Sequence, residues 1–376
     1  MILPEDYSFM ARAIKLAHKG RYTCHPNPRV GCIIVQKGKV VGEGFHQRAG
    51  EPHAEPIALS VAGDCAKGAT AYVTLEPCSH HGRTPPCADT LIQSGVSRVV
   101  VAMEDPNPKV AGSGLERLRQ AGINVHVGVL ESEAQALNPG FIKRMSHGLP
   151  FVRCKLAMSL DGRTAMASGE SKWITSDAAR RDVHRMRALS SAVMTGVDTV
   201  IADDAALNVR LSAVDLDGVE SDSDLPSPQR VVLDSRLRMS LQAKMLSLPG
   251  QTTILSLEGE HERRKALEAA GAEIISMPEN SGQIDLLTAM RYLAQQETNE
   301  ILLETGPRLA GNMLQAGLVD ELVIYMAPHL MGDSGKGLFH LPGLVHMQDR
   351  IELGITDIRA VGRDWRITAI PSNRVC

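Results

Sequence analysis

The sequence has few of the features that mark secreted or membrane-spanning proteins. No apolar run approaches the ~20 residues that a helix needs to span a bilayer. Residues 1–20 carry acidic side chains early and no long apolar core before a small-residue cleavage site, so we expect no secretion signal. The net charge of −3 gives no overall attraction to nucleic acid or to acidic membranes. We therefore expect neither a membrane nor a nucleic acid as a partner.

Cysteine is scarce, with seven residues scattered over 376. Without a secretion signal, this odd number argues against a disulfide framework and favours a cytoplasmic protein with metal-bound or free thiols. The sequence also lacks an internal repeat and the G-x-G-x-x-G fingerprint of many dinucleotide-binding folds. The sequence pattern alone therefore gives no sign of a nicotinamide cofactor.

The length exceeds what one hydrophobic core usually serves, so we expect two domains. Helical periodicity over residues 5–19 is followed by two apolar runs around Lys37 and Gly38, which predict a β-hairpin. Helices and strands then alternate to about residue 130, a pattern that predicts a sheet covered by helices. A break near residues 146–151 separates this series from a second one. We place the domain boundary there, with domains at residues 1–147 and 148–376.

The second series also alternates. Strands are predicted at 151–158, 192–195, 230–234, 252–256, 273–276, 300–303 and 320–326, with helices near 177–189, 261–270, 283–295 and 307–316. Residues 212–228 interrupt it with five acidic residues and little apolar periodicity. This stretch is predicted to be a mobile surface loop.

One short stretch suggests a metal site. "PCSHHGRTPPC", residues 77–87, holds two Pro-Cys pairs around two histidines, and His53-Ala54-Glu55 precedes it. The combination resembles the zinc deaminase signature, in which one histidine and two cysteines bind zinc and the glutamate is not a ligand. Three protein ligands suit a catalytic zinc, because one position stays open for water.

Local structure supports these roles. His53 and Cys87 lie at predicted helix starts, where the helix dipole favours a thiolate. Within one regular helix His53 and Glu55 would point roughly 200° apart, so His53 must cap the helix if both face one metal. Glu55 would then move a proton from zinc-bound water to the substrate. His80 and His81 remain alternative ligands.

The resemblance becomes specific in three stretches, "NPRVGCIIV", "HAE" and "YVTLEPCSHHGRTPPC". Residues 5–146 resemble the deaminase half of the bifunctional riboflavin-biosynthesis deaminase–reductase family, in which the two cysteines are widely spaced. The resemblance implies a cytidine-deaminase-like α/β/α domain with one Zn²⁺ per chain on His53, Cys78 and Cys87 and with Glu55 as the proton shuttle. It also implies that four residues contact the pyrimidine or its ribosyl phosphate: Asn27, His46, His80 and Arg83.

Two stretches of the second half point to a site by pattern alone. Residues 155–176 read as a buried strand, a tight turn and a polar loop, which hints at a site at the strand's carboxyl end. Residues 304–317 read as a strand, a glycine-containing turn and a helix, and the backbone N–H groups of such a helix start can hold a phosphate. A structural turn without a ligand remains the alternative.

Residues 151–370 resemble the reductase half of the same family, which is related to dihydrofolate reductase. The resemblance implies a dihydrofolate-reductase-like α/β domain. Its NADPH site would be lined by Ala157, Trp173, Thr199, Asp203, Ser235 and the turn Gly306, Pro307, Arg308, Leu309, Ala310, Gly311 and Asn312. Its substrate would contact Ser171, Arg187, Leu207, Arg210 and Glu304, and Lys155 and Asp203 could support proton transfer. Two arginines suit a phosphate, with surface salt bridges as the alternative.

The resemblance implies a bifunctional enzyme acting on a small phosphorylated pyrimidine. The first domain would deaminate 2,5-diamino-6-(5-phosphoribosylamino)pyrimidin-4-one with zinc. The second would reduce the ribosyl group with NADPH to give 5-amino-6-(5-phosphoribitylamino)uracil. We also expect a homo-oligomer, either a dimer or a tetramer. Two rivals remain: a nucleoside or tRNA deaminase with an unrelated appendage, and a zinc-stabilised binding module, for which His80 or His81 would have to be a fourth ligand.

Overall fold

The computed structural model describes residues 2–79, 86–108 and 110–372. The chain divides into two compact units, one formed by residues 1–148 with 212–225 and the other by 149–211 with 226–376. No helix in the described ranges has the length and apolar character needed to cross a bilayer.

The first unit contains six helices and five strands within its described residues. They are α1 (Pro4–Ala17), β1 (Gly31–Gln36), β2 (Lys39–Phe45), α2 (Ala54–Ala62), β3 (Thr70–Val73), α3 (Cys87–Gln93), β4 (Arg98–Val101), α4 (Ser113–Gln120), β5 (Asn124–Val127), α5 (Glu131–Leu137) and α6 (Pro139–His147). The sheet order is β2-β1-β3-β4-β5. Strands β3, β4 and β5 run parallel, whereas β1 is antiparallel to both of its neighbours.

Local sequence explains the predicted elements of this unit. Lys37 and Gly38 both have positive φ, which the tight turn of the predicted hairpin requires. Apolar side chains on the two faces of the sheet build two separate cores, one under α2, α3 and α4 and one under α1, α5 and α6. The unit is therefore the three-layer α/β/α arrangement that the alternating pattern predicts. Helices α5 and α6, which lie between the last strand predicted for this unit and the predicted break at 146–151, were not predicted.

The second unit contains thirteen strands and five helices among the described residues. They are β6 (Phe151–Ser159), β7 (Arg163–Ala165), α7 (Asp177–Leu189), β8 (Ala192–Gly196), α8 (Val197–Asp203), β9 (Gln229–Leu233), β10 (Thr252–Ser256), α9 (His261–Ala269), β11 (Ala272–Ser276), β12 (Glu279–Asn280), β13 (Gln283–Ile284), α10 (Leu286–Gln295), β14 (Glu300–Glu304), α11 (Pro307–Gln315), β15 (Glu321–Ala327), β16 (Lys336–Gly337), β17 (Leu353–Val361) and β18 (Asp364–Pro371).

Nine of these strands form one sheet in the order β11-β10-β9-β8-β14-β6-β15-β18-β17. The first seven strands in this order, from β11 at one edge through to β15, are parallel to one another. Strands β18 and β17 are antiparallel and form the other edge. Helices α10 and α11 cover one face, and α7, α8 and α9 cover the other. All seven predicted strands are present. The final hairpin of β17 and β18 and the short helix α8 were not predicted.

Residues 212–228 were predicted to be a mobile surface loop, and all but Leu216, Val219 and Pro228 are at least partly exposed. Their mobility stays a prediction. Residues 212–225 group with the first unit and contain two short 3₁₀ turns, Ala213–Asp215 and Asp222–Asp224. Leu216 and Val219 are only 2% and 9% exposed. The predicted domains, 1–147 and 148–376, had placed this segment in the second domain, because it lies within the second series of the sequence.

Candidate active sites

Three side chains of the first unit converge on a point suited to a metal. The ligand atoms of His53, Cys78 and Cys87 all lie within 4.8 Å of one another, and they form the only such His/Cys/Asp/Glu group in the described residues. His53 Nδ1 lies 3.2 Å from Cys87 Sγ and 3.7 Å from Cys78 Sγ. Two sulfurs and an imidazole nitrogen are ligands that zinc prefers. The predicted ligands therefore fit a zinc ion.

The local backbone produces this convergence. His53 is the N-cap of α2 with extended backbone, as the prediction required, and Cys87 is the first residue of α3. The backbone N–H of Cys87 donates to Cys78 Sγ at 3.3 Å. Hydrogen bonding from Cys87, and then from His53, lowers the pKa of the Cys78 thiol despite its burial, which favours the thiolate form.

Glu55 lies beside this group on the first turn of α2. Its side chain is almost fully buried, and one carboxylate oxygen, Oε2, has no hydrogen-bond partner among the described residues. Burial raises the pKa of the carboxyl group, while the neighbouring His53 opposes the rise. A buried carboxyl with a free oxygen can accept and release a proton, which is the behaviour expected of a proton shuttle.

Asn27 and His46 also lie at this site. Asn27 Nδ2 lies 3.0 Å from His46 Nε2, and His46 Nδ1 lies 3.1 Å from the Pro52 carbonyl oxygen. The carbonyl accepts from Nδ1–H, so Nε2 must accept from the amide of Asn27. Burial lowers the pKa of His46, which favours the neutral ring. The ring packs edge-on against His53 at 5.3 Å between centroids. The other two predicted substrate contacts, His80 and Arg83, and the rival ligand His81 lie outside the described residues.

Glu76 is a residue of this site that sequence analysis missed. Its buried carboxylate accepts hydrogen bonds from the backbone N–H groups of Asp105, Gly112, Gly114 and Leu115, at 2.8 to 3.3 Å. These bonds tie the start of α4 to the turn that carries Cys78. An acidic residue three positions after a buried strand and directly before a Pro-Cys pair is the signal that could have revealed it.

The second unit contains a wide cleft of about 1620 Å³ at the carboxyl ends of its parallel strands. Most residues predicted for the cofactor and the substrate line it. They are Lys155, Ala157, Ser171, Trp173, Arg187, Thr199, Asp203, Leu207, Arg210, Ser235, Glu304, Gly306, Pro307, Arg308, Leu309 and Asn312. Ala310 and Gly311 do not line it. Ala310 is fully buried in the core, and a side chain at Gly311 would collide with the His340 carbonyl.

Charged side chains pair at the centre of this cleft. Lys155 and Glu304 are register partners on the adjacent strands β6 and β14. Arg187 donates to both carboxylate oxygens of Glu304, at 2.5 and 2.9 Å. Burial raises the pKa of Glu304, but Arg187 outweighs it and leaves the pKa below the usual value. Burial lowers the pKa of Lys155, and the Glu304 carboxylate opposes this shift.

The two predicted arginines differ in their surroundings. The side chain of Arg187 is 12% exposed, whereas Arg210 is exposed and its guanidinium Nε lies 3.2 Å from His184 Nε2. His184 was not predicted, and its position one helical turn before Arg187 on α7 was the available signal. Burial lowers the pKa of His184 to about 4. The neutral ring can therefore position Arg210, which is the better placed of the two arginines to bind a phosphate.

The start of α11 meets the requirement for a phosphate site. Gly306 is its N-cap with extended backbone and no side-chain cap, and a Cβ built on it would meet no atom within 4 Å. Pro307 has no N–H, so the backbone N–H groups of Arg308 and Leu309 are the ones that could hold a phosphate at this helix start.

Comparison with known families assigns a different match to each unit. Residues 4–103 match the family described as the cytidine and deoxycytidylate deaminase zinc-binding region. Residues 150–367 match the family described as the RibD C-terminal domain. The two matches cover the zinc-ligand group and the cleft, respectively.

Full-length relatives are similar along the whole chain. The riboflavin biosynthesis protein RibD of Escherichia coli is 54% identical over 96% of this chain and 98% of its own length. The structure of Acinetobacter baumannii RibD aligns with a TM-score of 0.90 at 45% identity, covering 98% of this chain and 99% of that one. A deaminase/reductase structure from Thermotoga maritima aligns at 0.84 with 32% identity, covering 97% and 98%.

Proposed function

Because the chain belongs to the RibD family, and is therefore a bifunctional deaminase and reductase of riboflavin biosynthesis, we propose a specific pair of reactions for it. The first unit removes the ring amine of 2,5-diamino-6-(5-phosphoribosylamino)pyrimidin-4-one to give the uracil. The second unit reduces the ribosyl group with NADPH to the ribityl group. The observation that supports deamination by the first unit is the convergence of His53, Cys78 and Cys87 beside the buried Glu55.

Zinc is the metal that the first site would hold, on His53, Cys78 and Cys87. When bound, it would supply the Lewis acidity that makes a water molecule easier to deprotonate. Glu55 would take the proton of the attacking water on its free oxygen and pass it to the substrate, so that the hydroxide adds to the ring carbon and the amine departs as ammonia. Burial supports this role, because a carboxyl group with a raised pKa both accepts and returns a proton readily.

Asn27 and His46 would hold the pyrimidine ring against this centre. Their mutual hydrogen bond fixes the His46 ring in its neutral form with Nδ1–H on Pro52. The remaining N–H of the Asn27 amide is then available to a ring substituent. His80 and Arg83 are proposed contacts to the pyrimidine or its ribosyl phosphate by resemblance alone.

NADPH is the cofactor proposed for the cleft of the second unit, where it would supply a hydride. The open backbone at Gly306 and the start of α11 would hold its phosphates, with Trp173, Thr199 and Ser235 as further wall residues. Arg180 lies over one face of the Trp173 indole, with its guanidinium carbon 4.5 Å from the ring centroid. Trp173 is 68% exposed, so the other face could pack on a planar ring.

The substrate would enter the same cleft. Arg210 would bind its phosphate, and Glu304, held by Arg187, would accept hydrogen bonds from ribosyl hydroxyls. Reduction adds a hydride to the anomeric carbon, breaks its bond to the ring oxygen and leaves that oxygen in need of a proton. Lys155 is our candidate donor, because burial lowers its pKa and eases release of the proton.

One experiment tests both halves. The purified protein is incubated with the diaminopyrimidine substrate, with and without NADPH. We expect ammonia in both incubations and the ribityl product only with NADPH. Ammonia release that needs NADPH, or reduction without it, would contradict the proposal.

Full-length similarity to RibD proteins excludes both rival functions, the nucleoside or tRNA deaminase and the binding module. The homo-oligomer remains a prediction.

A further inference from the structure

Residues 212–225, here called the acidic segment, are folded onto the first unit although they interrupt the sequence of the second. Their turns are held by internal hydrogen bonds. The Ala213 N–H donates to Asp222 Oδ1 at 2.7 Å, and Ser221 Oγ donates to Asp224 Oδ2 at 2.9 Å. A segment with its own hydrogen-bonded shape can act as a fixed part of the unit that it contacts.

Gly218 makes the tightest contact of this segment. Its φ is +88°, and a Cβ built on it would lie 2.1 Å from the Lys19 carbonyl oxygen. Only glycine fits at this distance, because the nearest atoms belong to backbone. The adjacent Asp217 lies 3.6 Å from the Arg21 guanidinium. The acidic segment is therefore seated on residues 19–21.

The carboxyl-terminal end of the acidic segment contacts a second part of the first unit, the loop at residues 46–52. Asp224 accepts a hydrogen bond from Arg48 at 2.6 Å. Arg48 belongs to the loop at residues 46–52, which carries His46. An exposed ion pair of this kind adds little to the stability of the fold by itself. The ion pair matters here because it fixes the position of the loop that carries His46.

Both contacted parts of the chain, residues 19–21 and the loop 46–52, adjoin the deaminase site. Gly20 packs so closely on His46 that a Cβ there would lie 2.4 Å from the His46 carbonyl oxygen. His46 in turn pairs with Asn27 and packs against the zinc ligand His53. The acidic segment thus contacts the loop that carries His46, and it contacts residues 19–21, which pack on His46 and precede Asn27 in the chain.

We propose that the acidic segment is a positioning element of the deaminase site, supplied by the part of the sequence that otherwise encodes the reductase. This inference rests on the proposed deaminase function. Gly218 and Asp224 are positioning residues that act through residues 19–21 and the loop 46–52. Loss of the contact should weaken substrate binding without removing zinc, because none of the three ligands depends on the acidic segment. His53 and Cys87 lie at the starts of α2 and α3, and Cys78 lies on the turn that Glu76 ties to α4.

The test uses Gly218→Val in the full-length protein. Gly122→Val is the matched control, because Gly122 also lies in the first unit at φ +81°, but a Cβ built on it would meet no atom within 4 Å. We expect the deaminase KM of Gly218→Val to rise about tenfold, less than the ~100-fold that a 1 Å misplacement can cost. Zinc content and NADPH oxidation on the deaminated substrate should stay unchanged, and hydrogen exchange should quicken in residues 46–52.

A charge swap between Arg48 and Asp224 gives a second test, which does not depend on correct folding of the valine variant. Arg48→Asp alone should raise the deaminase KM, and adding Asp224→Arg should restore it. Equal KM and equal exchange in Gly218→Val and Gly122→Val would overturn the inference, as would failure of the swap to restore KM or a loss of zinc. Wild-type protein that releases no ammonia would instead overturn the proposed function, and the exchange comparison would still decide the role of the segment.

Discussion

Arg187 and Glu304 form a two-point ion pair that joins helix α7 to the end of strand β14. The guanidinium Nε and Nη2 donate to the two carboxylate oxygens, and Nη1 donates to the Asn208 carbonyl at 2.8 Å. Both side chains are nearly buried, at 12% and 13% exposure. The pair fixes the direction of a carboxylate that the substrate would meet.

Replacing Arg187 by alanine should destabilise the second unit and abolish NADPH oxidation, because the buried Glu304 carboxylate would lose both hydrogen bonds from Arg187 and keep only the neighbouring Lys155 charge. Breaking such a pair costs about 3–5 kcal/mol. Urea unfolding followed by tryptophan fluorescence measures this, since Trp173 and Trp365 both lie in the second unit. Adding Glu304→Gln should recover part of the stability. A wild-type unfolding midpoint in the single variant would contradict the prediction.

Arg210→Ala should raise the reductase KM for the phosphorylated substrate. A charge-assisted hydrogen bond is worth about 1.5–3 kcal/mol, which corresponds to roughly 10- to 100-fold in affinity. The control is the dephosphorylated substrate, for which the variant and the wild type should have the same KM. If the KM of the variant rises equally for the phosphorylated and the dephosphorylated substrate, Arg210 does not bind the phosphate.

Glu55→Gln should lower the rate of ammonia release by about 10²–10⁴, because glutamine cannot carry the proton. Zinc content and NADPH oxidation on the deaminated substrate should be retained. Glu133→Gln on α5, where the side chain is exposed, serves as the control. Deamination at the wild-type rate by Glu55→Gln would remove Glu55 from the proton pathway.

Cys87→Ala should lose zinc, since two ligands hold the metal far less tightly than three. Elemental analysis of the purified variant measures the loss directly. Cys65→Ala removes an exposed thiol and should keep its metal. A full zinc complement in Cys87→Ala would exclude that residue as a ligand.

Asp6 should make the stability of the first unit depend on pH. Burial raises the pKa of Asp6, but hydrogen bonds from Arg98, Leu3 and Tyr72 outweigh burial and lower it to about 2. Because the folded pKa lies below the unfolded value, this contribution of about 2 kcal/mol is complete above pH ~4 and is lost as pH falls towards 2. Circular dichroism should show that Asp6→Asn is less stable than wild type at pH 6 and that the gap narrows at pH 3. A gap that does not change with pH would contradict this.

Much of the zinc site could be predicted from sequence because its ligands lie in short, local patterns. His53 had to cap a helix for Glu55 to face the same metal, and it does. Glu76 escaped notice because its role depends on backbone groups some thirty to forty residues later in the chain. The reductase residues came from resemblance, because strand–turn–helix patterns do not specify a ligand.

The sequence by itself determined the alternating elements and singled out His53, Cys78 and Cys87 as candidate zinc ligands, since both depend on periodicity and short spacing. Only the tertiary structure decided which distant residues meet. Strand β14 returns between β8 and β6, and this order alone brings Glu304 beside Lys155 and within reach of Arg187. The acidic segment likewise joined the first unit through Gly218 and two buried apolar residues, because close packing depends on shape that composition does not record.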